Sequence, residues 1–324
     1  MSAAWKHRPE GGGWFALWLI RGIARYGGRA VSRALLLPIT LYFLAMRGPE
    51  RRASRTWLQR VTGREAGLWQ VARHIHCFAS TILDRVFLLG GELDRFDVRV
   101  RGADALHRQL DQGRGVLMFG SHLGSFEVLR VLAHSRPEMR LRVVLDVAHN
   151  PAITLLLDAL NPEVARTVID AGQDGPSVAL AIHEALEEGA LVALLVDRVH
   201  EGQAGIEAEF LGRPAPFPQA PWLIAAATGA PVVLGFGLYR GGRRYDVVFE
   251  PFSDGIRMRR QDRREALAAL VSTYAARLEH HARAAPHNWF NFYDFWQDDE
   301  ARDDRIPAGP AAGTGEHVAG PGRG

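Results

Sequence analysis

Between residues 98 and 284, short apolar runs alternate with longer stretches of helical period, and that alternation leaves few architectures open. The runs at 115–120 (GVLMFG), 141–147 (LRVVLDV) and 190–196 (ALVALLV) are continuous and branched-chain rich, the pattern of strands buried on both faces. A weaker run lies at 166–170, and two more lie at 231–238 and 245–249. Helical patterns fill 103–111, 125–135, 152–160, 177–188, 219–228 and 262–284. A further one spans 56–90, where Leu68, Val71, Ile75, Phe78, Ile82 and Phe87 recur at steps that place them on one helical face. Strands separated by helices predict an α/β domain with a mostly parallel sheet flanked by helices. The runs 231–238 and 245–249 are joined by Arg-Gly-Gly-Arg, which predicts a hairpin and makes the sheet mixed. One cysteine, Cys77, excludes an internal disulfide framework and multi-cysteine metal sites, and fits a reducing compartment.

Charge divides the chain unevenly. Residues 1–60 carry eleven Lys/Arg against two Asp/Glu, while the rest of the chain is mildly acidic. From Trp14 to Met46 the only charges are Arg21, Arg25, Arg29 and Arg33, spaced by four. On a helix they cover about a third of the wheel, opposite Ile20, Ile23, Gly27, Ala30 and Val31. Trp14, Phe15 and Trp18 suit the headgroup level. The thirteen uncharged residues 34–46 contain Pro38 and fall short of the ~20 that a spanning helix needs. This predicts a basic amphipathic helix lying in a membrane interface, with a solvated soluble helix and a tilted span as alternatives. The positive flanks, continued by Arg47, Arg51, Arg52 and Arg55, put the body on the cytoplasmic side. Arginines set among long apolar runs suit lipid and not nucleic acid. Residues 1–55 are therefore read as a membrane-anchoring segment, 56–297 as the folded domain, and the Gly-, Pro- and charge-rich 298–324 as a disordered tail.

The chemistry concentrates in Gly120-Ser121-His122-Leu123-Gly124-Ser125-Phe126-Glu127. A buried strand ends near Gly120 and a helical pattern begins near Ser125, and ligands bind where strands of an open α/β sheet end. His122 lies in that turn between small residues, Ser125 is a candidate N-cap, and Glu127 falls in the first helical turn, within reach of the imidazole. A His–carboxylate pair deprotonates a nucleophile while the carboxylate fixes the tautomer, and first-turn amides could hold an oxyanion. The alternative is a Glu that serves only the helix dipole. Ser121 lacks the G-x-S-x-G elbow of a nucleophile. His74, His76 and Cys77, and the pair His280-His281, lack metal-ligand spacing.

G-S-H-L-G-S-F-E resembles the H-x4-D/E motif of glycerolipid-type acyltransferases. More closely, it resembles the G-x-H-x-G-x-x-E form of the bacterial lipid A biosynthesis (lauroyl/myristoyl) acyltransferase family. Three further segments agree in order: 143–151 (VVLDVAHNP), 192–213 with V-D-R and then F-L-G-R-P-A, and 228–233 (TGAPVV). The resemblance covers about residues 10–297. It implies a glycerolipid-acyltransferase-like fold and a membrane-associated O-acyltransferase. Such an enzyme moves a fatty or polyene acyl group from an acyl-carrier-protein or coenzyme A thioester to a lipid or glycolipid hydroxyl. It would be monomeric, with no metal or cofactor, at the cytoplasmic face of a bacterial inner membrane rich in anionic lipid. By position, His122 is the general base and Glu127 its orienting partner. Gly124, Ser125, Asp197, Arg198 and Arg213 are substrate-binding candidates, the two arginines as anchors for phosphate or an oxyanion.

Two departures bear on the acceptor. The family's D-Q is Asp197-Arg198 here, and the segment His287–Trp296 (HNWFNFYDFW) is unusually aromatic. Those aromatics either close the core or line an acyl or aryl channel. In this the chain resembles the acyltransferases of aryl polyene or xanthomonadin-type pigment pathways, and lipid A is in doubt as the acceptor. The same His–Glu pair acting on water would make a thioesterase or lipid hydrolase, and a fold without turnover would be a membrane-binding scaffold.

Overall fold

The computed structural model describes residues 14–131, 136, 138–148, 151–200 and 202–296, with the backbone alone at 14–27, 130 and 152. The strands are β1 (Asp97–Arg101), β2 (Val116–Gly120), β3 (Leu141–Leu145), β4 (Val168–Asp170), β5 (Leu191–Leu195), β6 (Gly205–Phe210), β7 (Arg213–Pro218), β8 (Val232–Gly241) and β9 (Arg244–Ser253). Seven form one sheet in the order β1-β9-β8-β2-β5-β3-β4. The β8–β9 hairpin is antiparallel and the other pairings in this sheet are parallel, so the sheet is mixed as the Arg-Gly-Gly-Arg turn predicts. β6 and β7 pair as a separate antiparallel hairpin. Its second strand, RPAPFP, carries three prolines that remove ladder donors, which is why the pattern gives no strand signal there.

Each central strand feeds two cores at once. On β2, Leu117 and Phe119 face one apolar cluster while Val116 and Met118 face the other, and on β5 Val192 and Leu194 oppose Leu191 and Ala193 in the same way. Helices therefore cover both faces, and strands buried on both sides read as continuous apolar runs. The first cluster takes in α7 (Ala220–Thr228) and α8 (Arg263–Ala284), and the second takes in α3 (Leu68–Leu89), α4 (Ala103–Asp111) and α5 (Pro151–Leu160). A sixth helix, α6 (Gly175–Glu187), packs on the first. The aromatic C-terminal segment belongs to the first core. Trp289 and Trp296 stack on Trp57 at 5.0 and 6.3 Å between centroids, and Phe295 packs edge-on against Trp289.

The pattern at 56–90 is two helices. α2 (Gly48–Thr62) stops at Gly63, whose φ of 67° is left-handed, and α3 follows. The expected boundary at residue 55 falls inside α2, which buries Ser54, Trp57, Leu58 and Val61 in the body. Ahead of it, α1 (Trp14–Met46) is broken at Gly28, which is not helical (φ 68°, ψ 176°). The part from Gly28 to Met46 is long and apolar enough to cross a membrane. It nevertheless packs along α3, burying Ser32, Leu36 and Thr40 at successive four-residue steps. The expected solvent- or lipid-facing stripe is altered where it is described. Arg29 turns inward to grip buried Asp84 through Nε and Nη2 at 2.9 and 3.0 Å, and Tyr245 donates to the same carboxylate at 2.9 Å. Arg33 donates to the Tyr239 hydroxyl at 3.0 Å. The side chains of Arg21 and Arg25, and the tail at 298–324, lie outside the described residues.

The Arg29–Asp84 pair fixes α1 to the body: burial pushes the Asp84 carboxyl up, and the Arg29 guanidinium opposes this most, ahead of the Tyr245 hydroxyl and the Arg33 charge. Arg29→Gln is expected to destabilise the fold by about 3–5 kcal/mol, since it leaves a buried carboxyl without its cation. Adding Asp84→Asn should recover part of the loss. Thermal unfolding of the two variants checks this, and equal midpoints for wild type and Arg29→Gln would contradict it.

Candidate active site

Register builds the site. β2 and β5 are parallel neighbours with Gly120 opposite Leu195, and the ladder continues as Val196 N–H donates to the Gly120 carbonyl at 3.1 Å. Two residues beyond each strand end, His122 and Asp197 therefore stand side by side. The Asp197 carboxylate is fully buried and takes His122 in two places. Oδ1 accepts from Nδ1 at 2.8 Å, and Oδ2 accepts from the backbone N–H at 3.0 Å. An ionised carboxylate only accepts, so Nδ1 carries the proton and Nε2 is bare. The imidazole keeps 26% of its side-chain surface exposed. The carboxylate on the imidazole is thus Asp197, where the motif led to Glu127.

Glu127 serves a different contact. Its Oε1 pairs with Arg85 of α3 at 2.6 Å, and its Oε2 accepts from the Ser125 hydroxyl at 3.0 Å. Ser125 consequently does not cap a helix. The segment continues as a four-residue 3-10 turn, Glu127–Arg130, too short to supply much dipole. Two of the nearby amides are already engaged. Gly124 N–H donates to the Asn288 carbonyl at 2.7 Å and Ser125 N–H to the Gly237 carbonyl at 2.8 Å. These bonds press the loop flat onto β8. Gly124 has φ of 85°, and a Cβ there would lie 2.1 Å from the Gly237 oxygen; one on Gly237 would lie 2.1 Å from the Ser125 oxygen. The small residues in this loop permit backbone packing.

The C-terminal segment closes the other side. Phe290 N–H donates to the His122 carbonyl at 2.8 Å. Asn291 bridges the two adjacent charges: its Nδ2 donates to Asp197 Oδ2 at 3.2 Å, and its Oδ1 accepts from Arg198 Nε at 2.5 Å. Arg198 also donates to the Phe290 carbonyl and lies over the Tyr293 ring. The two departures noted above, Arg198 and the aromatic segment, are one assembly. Asn291 and Asn288, whose side chain pairs with the Tyr239 backbone, had no local signal in the sequence. Arg213 lies exposed at the turn of the β6–β7 hairpin, in a different sheet from His122.

Electrostatics suit a neutral imidazole beside a fixed anion. Burial first, then the Arg198 charge, lowers the His122 pKa, against the raising effect of Asp197. Burial would raise Asp197, but His122 and Arg198 outweigh it and the carboxyl stays below its usual range. The other histidines singled out above have different surroundings. His74 is buried between the Ser54 hydroxyl and the Trp289 carbonyl and is pushed down to about 3 by burial, while His281 donates to Glu250 at 2.8 Å.

No curated protein matches the chain. The sequence profile described as bacterial lipid A biosynthesis acyltransferase matches residues 89–298, well over half of the chain. That span holds β2, β5 and the whole His122–Asp197–Asn291–Arg198 assembly. The chain belongs to the bacterial lipid A biosynthesis acyltransferase family and is an acyltransferase acting on lipid.

Proposed function

We propose that this enzyme transfers a fatty acyl group directly from a thioester, of acyl carrier protein or coenzyme A, to a hydroxyl of a lipid or glycolipid. The observation that carries this is the His122–Asp197 contact, which leaves Nε2 bare on a partly exposed imidazole. His122 Nε2 takes the acceptor hydroxyl's proton as its oxygen attacks the thioester carbonyl. Asp197 stabilises the imidazolium that forms. Arg198 supplies positive charge beside the developing oxyanion. Collapse breaks the C–S bond, the thiolate leaves with the proton held by His122, and the products are an ester and a free thiol. Glu127 acts at one remove, holding the loop through Arg85 and Ser125. A polyene acyl group falls within this reading as the group transferred.

α1 supports attachment to the cytoplasmic face of a bacterial inner membrane as a helix lying in the interface. Both ends of Gly28–Met46 touch the body: Arg29 holds Asp84, and Arg51 donates to the Leu44 carbonyl. These contacts, one near each end, favour a helix that lies along the folded domain in the membrane interface. Its outer side shows Val31, Leu35, Leu37, Leu41, Tyr42 and Met46 to the surroundings, an apolar face with arginines behind it.

Four outcomes test the reading. His122→Ala should lower acyl transfer by about 10²–10⁴-fold with folding intact. Transfer assays with and without an acceptor alcohol read this, and free acid formed regardless of acceptor would contradict it. Asp197→Asn should cost a similar factor by releasing the tautomer. In wild type the acid limb of kcat/KM should lie below the ordinary histidine value, because the base works deprotonated and its pKa is lowered; a limb above that value would contradict the assignment. Leu37→Glu with Leu41→Glu should move the protein from the vesicle-bound to the free fraction in flotation, since each exposed leucine contributes up to about 1.5–3 kcal/mol when buried in lipid. Unchanged flotation would place the anchor elsewhere.

A further inference from the structure

We propose that a second site, a cleft between α1, α3, the β8–β9 turn and the chain entering the C-terminal segment, binds the phosphate group of an anionic lipid. The cleft has a volume of about 300 Å³ and is lined by Arg33, Arg73, His76, Arg240 and His287, with no acidic residue. Arg240 is offset by Asp246 at 2.8 Å. Arg33 and Arg73 are not offset in this way. Arg33 donates to two neutral groups, the Tyr239 hydroxyl and the Gly242 carbonyl, and the nearby Asp84 carboxylate is already gripped by Arg29. Arg73 has no hydrogen bond or ion pair among the described residues. The Nε2 atom of His287 is buried there without a partner.

Guanidinium groups and an imidazole turned on one hollow match the oxygens of a phosphate. The charges lining the cleft act on its two histidines. Burial and Arg73 hold His287 down at about 4, and burial and Arg33 lower His76. An anion seated between them opposes those effects by favouring the protonated imidazoles.

The surroundings select a lipid over a soluble phosphate. One and two turns beyond Arg33 on α1 stand Leu37 and Leu41, 61% and 64% exposed, and one turn before Arg73 on α3 stands Trp69, 78% exposed. A ligand with a phosphate in the cleft has an apolar shelf beside it for its chains. The site is separate from His122: Asn288 lies between them, its carbonyl accepting from Gly124 and its side chain pairing with Tyr239.

Calorimetric titration of the full-length protein in neutral detergent tests the site without any reliance on turnover. The probes are dihexanoyl phosphatidylglycerol, dihexanoylglycerol, inorganic phosphate and coenzyme A. The phosphatidylglycerol is expected to bind, and Arg73→Glu to weaken it about tenfold or more. The distant exposed Arg166→Glu should leave binding unchanged. Arg73 has no partner to lose among the described residues, so the unfolding midpoint of Arg73→Glu should hold; Arg33→Gln should weaken binding in the same direction. Equal affinity of wild type and Arg73→Glu for phosphatidylglycerol would overturn the site. Binding of inorganic phosphate or coenzyme A as tight as that of the lipid, with the same Arg73 dependence, would overturn the lipid assignment.

Discussion

The Asp197 carboxylate is buried away from water, and a charge in that position is tolerable because three hydrogen bonds converge on it. Two come from His122, one through the ring and one through the backbone, and the third comes from the Asn291 amide. The same three bonds that make the buried charge tolerable also fix the imidazole's tautomer and aim. Stability and chemistry at this position are therefore a single requirement. Loss of the carboxylate removes the orientation of the ring, and loss of the ring leaves the carboxylate short of partners.

That grip depends on the parallel register of β2 and β5 and on a flat seat for the intervening loop. The seat exists because Gly124 and Gly237 let two backbones approach more closely than any side chain permits. The C-terminal segment then locks it through Asn288, Phe290 and Asn291, carried on an aromatic stack that is itself core. Arg198 belongs to this lock: its donors reach Asn291 and Phe290, and its charge lowers His122.

Much of the sheet was legible in the sequence because β2, β5 and β8 are buried on both faces and have no reason to alternate. The β8–β9 hairpin was legible from its Gly-Gly turn. Asp197 was legible only as a residue at the right sheet edge, since its partnership with His122 requires knowing that β2 and β5 are neighbours, which no local pattern states. Glu127 sits nearer to His122 in sequence and drew the assignment, but the short 3-10 turn swings it toward Arg85 of α3. The arginine stripe of α1 had the same ambiguity. Periodicity places Arg29 and Arg33 on one face without saying whether lipid or protein meets it, and a buried aspartate on α3 decides for Arg29.

The central claim is that His122 is a neutral imidazole with its proton on Nδ1 and its Nε2 free. The most direct measurement is the ¹⁵N NMR spectrum of the histidine side chains across pH, with His122 assigned by comparison with the His122→Ala variant. The account predicts an Nδ1–H tautomer at neutral pH, protonation only below the ordinary histidine value, and loss of the tautomer preference in Asp197→Asn. A His122 that is charged at pH 7, or that carries its proton on Nε2, would contradict it.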